Sequence, residues 1–355
     1  MRIVSFVGTR PEIIKTLAFC RAASQFRNME FFVVHTGQNF GANMADCFFR
    51  ELGVPLFHQN AAIDRSSIGS SAKTLLDCVA EYTYKLAPDI IISNTDTDTA
   101  FYTALAGAKL RVPVAHIEGG IRCEARLNPE EINRRLADHL ANWVFTISSE
   151  DTHALLSEGF PKESIFMLGD ITLDAVRITL VENSIQVQRG DYNLLTIHRQ
   201  ENANNPKRLE TIIRAVEQAS FPTVFPVHPR TRETLQRAGL LQRLERSKVI
   251  QLQEPQSYID MLRLAAGCNK VISDSGGLRR EGYMLDKPVI SLVWFVWFKK
   301  MNQLGYEFVA DADGDKIVWA IQNFDPPPPR PPIFGDGRAG EHILYTLQEQ
   351  ADRRK

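Results

Sequence analysis

The sequence predicts an α/β chain built from two doubly wound domains. Three observations predict it. Apolar runs of strand length alternate with amphipathic stretches from end to end. The chain has 355 residues, enough for about two domains. Polar, titratable clusters follow several of the apolar runs, where open parallel sheets place their ligands.

Strands are predicted at 3–7, 31–35, 89–93, 112–117, 144–147 and 165–168, then at 193–197, 223–227, 249–251, 270–273 and 288–292. Between them, 131–142, 206–218 and 256–266 carry helical periodicity. The alternation implies parallel strands covered by helices. The join between domains is expected near Gly169-Asp170-Ile171-Thr172. Residues 325–332, Asp-Pro-Pro-Pro-Pro-Arg-Pro-Pro, cannot be helical and read as a stiff connector. A short helical tail is expected over 341–350.

The first strand feeds Gly8-Thr9-Arg10-Pro11-Glu12-Ile13-Ile14-Lys15. Pro11 suits a first helical turn, and Glu12 complements the positive helix end. A glycine turn before a helix leaves backbone N–H groups pointing outward, an anion site with Arg10 and Lys15 beside it. That reading competes with an ordinary strand-to-helix turn. Asn94-Thr95-Asp96-Thr97-Asp98-Thr99 reads either as an Asx-rich turn or as a polar site. His116-Ile117-Glu118-Gly119-Gly120 places a carboxylate at the end of an apolar strand, where Glu is rare without a partner. Glu130 and Glu131 follow Pro129 and also fit as first-turn charges. His198 ends the strand at 193–197, as a boundary histidine or a catalytic one. His228-Pro229-Arg230-Thr231-Arg232 follows the next strand. Asp274-Ser275-Gly276-Gly277 combines cap chemistry with two glycines that let a phosphate approach closely. The aromatic run Val293-Trp294-Phe295-Val296-Trp297-Phe298 reads as core or subunit interface.

Composition narrows the class. A net charge of −1 offers no field for nucleic acid. Five scattered cysteines show no metal-ligand spacing and predict reduced thiols in a cytoplasmic protein. No signal peptide is expected, and the apolar run 288–298 is too short to insert into a membrane.

Taken in order, these clusters resemble the non-hydrolysing UDP-N-acetylglucosamine 2-epimerase family. The resemblance rests on Gly8-Thr9-Arg10-Pro11-Glu12 with Lys15 and on His35-Thr36-Gly37-Gln38-Asn39. It continues through Asp96-Thr97, His116-Ile117-Glu118-Gly119-Gly120-Ile121-Arg122 and Pro129-Glu130-Glu131-Ile132-Asn133-Arg134. His198-Arg199-Gln200-Glu201-Asn202, His228-Pro229, Asp274-Ser275-Gly276-Gly277 with Glu281, and Gly335-Asp336-Gly337 complete it. Each motif is common by itself; the ordered set is specific.

The resemblance implies two Rossmann-like domains in a GT-B arrangement with an interdomain cleft. The domains would be 1–169, joined by a returning helix at about 338–355, and a UDP-binding domain at 170–337. It implies a UDP-sugar substrate, no cofactor or metal, and a homodimer serving polysaccharide biosynthesis. It also implies the chemistry: loss of UDP from C1 with the C2 proton, giving a 2-acetamidoglucal, then reprotonation and re-addition of UDP. Asp96, Glu118 and Glu130 are then the carboxylate candidates and His198 the group that assists the leaving diphosphate. Arg10, Lys15, Gln38, Arg134, Arg199, His228, Tyr258, Ser275, Gly276, Gly277 and Glu281 are the implied substrate-binding positions.

The chain departs from the family pattern at four places. Thr95 stands where a glycine is usual. The Glu118–Glu130 spacing is short. Arg279 and Arg280 follow the Asp-Ser-Gly-Gly run, where an amide and an acid are usual. The family's Thr-Glu-Arg-Pro-Glu stretch is absent, with the aromatic run and Lys299-Lys300 in its place. One expectation is that Arg279 or Arg280 restores the diphosphate charge lost with that stretch. The departures keep other readings open: a 2-epimerase of another UDP-2-acetamido sugar (the L-quinovosamine or fucosamine type, or a diacetamido uronate), a hydrolysing epimerase, a glycosyltransferase, or a nucleotide-sugar binding protein.

Overall fold

The computed structural model describes residues 1–39, 45–60, 62–123, 128–296 and 298–354. The chain forms two compact units: Met1–Ile178 with Phe334–Lys355, and Thr179–Ile333. In the first, β1 (Arg2–Val7), β2 (Glu30–His35), β3 (His58–Gln59), β4 (Ile90–Asn94), β5 (Val114–Ile117), β6 (Trp143–Thr146) and β7 (Ile165–Met167) form one sheet. Its strand order is β3-β2-β1-β4-β5-β6-β7, and the pairings are parallel. Its helices are α1 (Arg10–Ala23), α2 (Cys47–Glu51), α3 (Ile68–Leu86), α4 (Asp98–Leu110), α5 (Pro129–Leu140) and α6 (Ser149–Ser157). Helix α7 (Ile171–Glu182) runs across the division between units.

In the second unit, β8 (Asn193–Thr196), β9 (Thr223–Pro226), β10 (Ile250–Gln253), β11 (Val271–Ser273), β12 (Val289–Ser291) and β13 (Glu307–Val309) follow the order β10-β9-β8-β11-β12-β13. These pairings are parallel too. Its helices are α8 (Gln200–Ala203), α9 (Pro206–Gln218), α10 (Pro229–Arg237), α11 (Leu241–Glu245), α12 (Tyr258–Gly267), α13 (Gly276–Met284), α14 (Lys299–Gln303) and α15 (Gly314–Asn323); α16 (Ala339–Asp352) belongs to the first unit. Both sheets are doubly wound.

The central strands are largely apolar runs because parallel sheets bury both faces. Ile90, Ile91 and Ile92 of β4 are all buried. In the first unit Ile3, Phe19, Ile92, Ile117 and Phe145 share a core with Ile343, Leu344 and Leu347 of α16. In the second, Leu195, Phe225, Ile272 and Ile290 pack with Ile212 and Val216 of α9 and Ile317 of α15. The sequence reading lacked β3 and β13. The first is two residues long, and the second begins with Glu307, a buried carboxylate that breaks the apolar pattern. Strand order reverses where β1 meets β4 and where β8 meets β11. Such switch points open a crevice at the carboxyl ends of the strands, and the polar clusters follow those ends.

Candidate active site

At the first switch point, α1 starts with Glu12 facing back. Its Oε2 accepts from the Gly8 and Thr9 amides, both at 2.8 Å, and from Thr9 Oγ1 at 2.9 Å. Its Oε1 accepts from Thr97 Oγ1 at 2.6 Å. The amides read as open to an external anion are thus engaged by the chain's own carboxylate. Burial pushes Glu12 up to about 7, against the lowering effect of those donors. Gly8 is needed for close approach of side chains: a Cβ there would lie 2.1 Å from Thr99 Oγ1 and 2.7 Å from both Gln38 Cβ and Thr36 Oγ1. Gln38 Oε1 accepts from Thr99 N at 2.9 Å and Thr99 Oγ1 at 2.7 Å, which ties it to the start of α4. The Arg10 guanidinium lies 4.7 Å from the Phe48 ring centroid.

Lys15 and Glu118, separate in the sequence reading, meet. Lys15 Nζ lies 2.7 Å from Glu118 Oε1, with both side chains buried. Glu118 holds φ at +61° and Thr95, at the neighbouring strand end, holds +66°. Left-handed backbone at bulky residues is strained and gathers at functional sites. Asp96 pairs with Arg134, whose Nη1 also donates to Glu131 Oε2 at 2.8 Å. Asn133 Nδ2 donates to the Asp96 carbonyl at 3.1 Å and to Asp98 Oδ1 at 3.0 Å. Glu130 is exposed in the first turn of α5, and its amide donates to the capping Asn128 Oδ1 at 3.0 Å. Its neighbour Glu131 is buried. Residues 124–127, in the short stretch between Glu118 and Glu130, lie outside the described residues.

At the second switch point, the buried Asp274 carboxylate gathers the β8 turn. It accepts from His198 N at 3.0 Å, Arg199 N at 3.1 Å and Asn202 Nδ2 at 3.2 Å. The His198 side chain is 41% exposed, with Nδ1 3.5 Å from Asp274 Oδ1 and its ring 6.0 Å from the His228 ring. His228 caps α10, its Nδ1 accepting from Arg230 N at 3.2 Å. Ser275 caps α13, its Oγ accepting from Leu278 N at 3.3 Å. Gly276 and Gly277 open that helix, and Glu281 lies one turn beyond Gly277 on the same face. A Cβ at Gly277 would meet nothing nearer than Ser275 Oγ at 3.9 Å, so the space above it is open. Tyr258 is buried in the first turn of α12.

The two arginines after Gly277 have different fates. Arg279 Nε lies 2.6 Å from Glu307 Oε1, and both side chains are fully buried, so Arg279 is engaged inside the fold. Arg280 lies 5.3 Å from the Phe298 ring centroid, and Arg199 lies 5.0 Å from that of Phe295. The aromatic run thus supports guanidinium groups. Its Trp294 is 71% exposed, and Trp297 lies outside the described residues.

Sequence reasoning took Glu12 and Glu131 only as helix-start charges and passed over Asp138 and the structural weight of Asp274. Only Glu12 carried a legible signal, the Thr-x-x-Glu capping-box spacing from Thr9. Among the described residues, no group of three or more His, Cys, Asp or Glu side chains could hold a metal ion. Among them also, no helix is long and apolar enough to cross a membrane.

Two doubly wound parallel α/β units, of seven and six strands, are the components of a GT-B fold. The UDP-N-acetylglucosamine 2-epimerase family model matches residues 21–348. A UDP-N-acetylglucosamine 2-epimerase homolog of Methanococcus maripaludis is 32% identical, covering 98% of this chain and 99% of that one. The UDP-2,3-diacetamido-2,3-dideoxy-D-glucuronate 2-epimerase of Pseudomonas aeruginosa is 32% identical over 90% of each chain. The crystal structure of Methanocaldococcus jannaschii UDP-GlcNAc 2-epimerase, in complex with UDP-GlcNAc and UDP, superposes with a TM-score of 0.86 at 30% identity. It covers 98% of this chain and 100% of that one. The chain belongs to the UDP-N-acetylglucosamine 2-epimerase family and is an isomerase of the epimerase type.

Proposed function

We propose that this chain interconverts UDP-N-acetylglucosamine and UDP-N-acetylmannosamine without hydrolysis. The C2 proton passes to an enzyme carboxylate as the C1–O bond to UDP breaks, leaving a 2-acetamidoglucal and UDP. A proton then returns to C2 on the opposite face, and UDP adds again at C1. The observation that carries this reading is the pair of cation-bound carboxylates at the first switch point, Asp96 on Arg134 and Glu118 on Lys15. A carboxylate in its ionised form is the group that can accept the C2 proton. Glu130, exposed at the start of α5, is the third carboxylate of the set. In the second unit His198 assists the departing diphosphate, and Ser275, Gly276, Gly277 and Glu281 bind UDP through the open start of α13. Arg199, His228 and Tyr258 support that end of the substrate, and Arg10, Lys15, Gln38 and Arg134 the other. Arg280, which lies over the Phe298 ring, is the arginine proposed to compensate for the missing family arginine. We propose in addition a cytoplasmic homodimer that supplies activated sugar for polysaccharide synthesis.

The test is incubation with UDP-N-acetylglucosamine in heavy water. Deuterium at C2 together with UDP-N-acetylmannosamine is the expected result; release of free sugar would establish hydrolysis instead. A second reading, 2-epimerisation of a UDP-diacetamido uronate, is favoured by the Pseudomonas aeruginosa relative. It prevails if C2 exchange occurs with that substrate alone.

A further inference from the structure

The turns that carry Asp96 and Glu118 are joined by a closed circuit of charges. Arg134 binds Asp96 through one terminal nitrogen and Glu131 Oε2 through the other, the latter at 2.8 Å. Glu131 Oε1 accepts from Arg135 Nε at 2.7 Å, and Arg135 Nη1 reaches Glu158 Oε1 at 2.9 Å. Glu158 takes a two-point contact from Arg122, at 2.8 Å from Nε and 2.7 Å from Nη2. Arg122 Nη1 lies 2.8 Å from Asp138 Oδ2, and Asp138 Oδ1 lies 2.7 Å from His116 Nδ1. His116 Nε2 lies 2.6 Å from the carbonyl oxygen of Thr95, the residue before Asp96. The path ends where it began.

We infer that His116 is a positioning residue: carrying a proton on each ring nitrogen, it closes this circuit and holds the strained turns at Thr95 and Glu118. A carbonyl oxygen only accepts, so Nε2 must donate to Thr95. An ionised Asp138 also only accepts, so Nδ1 must donate to it. Arg122 Nη1, 2.8 Å from Asp138 Oδ2, and the Gly120 amide, 3.2 Å from the same oxygen, favour the ionised carboxylate without any appeal to His116. Charge balance agrees. Among the described residues, the ion pairs of Asp96, Glu131, Glu158 and Asp138 run to Arg134, Arg135 and Arg122, and a charged His116 adds a fourth cation to the four carboxylates. The neighbouring described charges have partners of their own, Asp151 among them, which accepts from Ser148 N at 3.0 Å and Ser148 Oγ at 2.7 Å. Lys15 and Glu118 compensate each other, Asp98 is held by Asn133, and Glu12 is held by backbone amides and hydroxyls.

The circuit grips both strained turns. Asp138 Oδ2 accepts from Gly120 N at 3.2 Å, two residues past Glu118, and Thr95 N donates to the Ile117 carbonyl at 3.0 Å. Backbone held at φ +66° and +61° persists only where the surroundings over-determine it.

The proposal rests on the epimerase reading only for its kinetic consequence, so the closing experiment reads position separately from turnover. Nitrogen chemical shifts of the His116 ring in the wild-type protein at neutral pH should be those of a doubly protonated imidazolium; a singly protonated ring overturns the proposal. In His116→Gln the side chain cannot bridge Asp138 and Thr95. The Thr95 and Gly120 amides should then exchange with solvent about tenfold faster or more, and kcat should fall by about 10- to 100-fold with KM little changed. Unchanged exchange at both amides overturns it. Should His116→Gln fail to fold, Asp138→Asn retains an acceptor oxygen but removes the charge. The ring should then lose its second proton and the same amides should exchange faster; retention of both protons counts against the proposal. A wild-type protein inactive on every UDP-sugar would overturn the functional reading, while the ring and exchange measurements would still decide the role of His116.

Discussion

The two switch points are built in opposite ways. In the first unit nearly every charge is engaged by another part of the same unit: Glu12 by backbone amides, Lys15 by Glu118, Arg134 by Asp96 and Glu131. In the second, the carboxylate of Asp274 is buried and engaged, but what it supports is open: a 41%-exposed His198 and a helix start with clear space above Gly277. The difference teaches a division of labour. Buried ion pairs fix geometry, as proton transfer requires. Exposed donors at a helix start receive an anion and release it.

The largest effect should come from opening the closed face. Arg134→Ala leaves the buried Glu131 carboxylate without one partner and Asp96 without its cation. It should cost about 3–5 kcal/mol, read by denaturant unfolding, and a loss below about 1 kcal/mol would break the contrast. The next effect is a pH slope. Glu12 holds its proton up to about 7 when folded, against 4.5 ordinarily. The native state therefore binds more protons than the unfolded chain over that range, and stability falls as pH rises through it. The full loss is about 3 kcal/mol, and Glu12→Gln should abolish it. Asp174, raised by burial to about 6, adds a smaller slope of the same sign. His35, lowered by burial to about 4, contributes the opposite sign below its ordinary 6.5, so the comparison must be variant against wild type.

Two glycines sharpen the contrast further. Gly8→Ala forces a Cβ against Thr99 and should destabilise by about 1–3 kcal/mol. Gly277→Ala meets no such neighbour; stability should hold or rise by up to about 1 kcal/mol while UDP affinity, read by calorimetry, weakens. Equal stability changes would show that the second face is packed as tightly as the first. The smallest effect is expected at Trp294, 71% exposed, where alanine should change stability by less than about 0.5 kcal/mol.

Much of the fold was legible. Strands such as β1, β4 and β8 announced themselves as apolar runs because a parallel strand buries both faces. The helix start at Ser275 was visible from its cap chemistry, while the Asn128 cap emerged only in the structure. β3 and β13 were not legible: the first has two residues, and the buried Glu307 breaks the apolar pattern of the second. For the candidate site, the sequence reading named residues but not their partners. Lys15 and Glu118 were assigned to different tasks, yet they form one ion pair. Arg279 was weighed as a diphosphate ligand, yet its charge is met by Glu307, 28 residues away.

The sequence by itself determined which segments become strands and helices, and which polar residues follow the strand ends, because periodicity and capping are local. Only the tertiary structure decided what each charge faces. His116 and Asp138 are 22 residues apart, and His116 and Thr95 are 21 apart. Their meeting depends on the register of β4, β5 and α5, a property of the packed sheet. Whether a carboxylate is a base, a cap or a link in a circuit is set by its neighbours in space, since desolvation and charge act over a few ångströms whatever the separation along the chain.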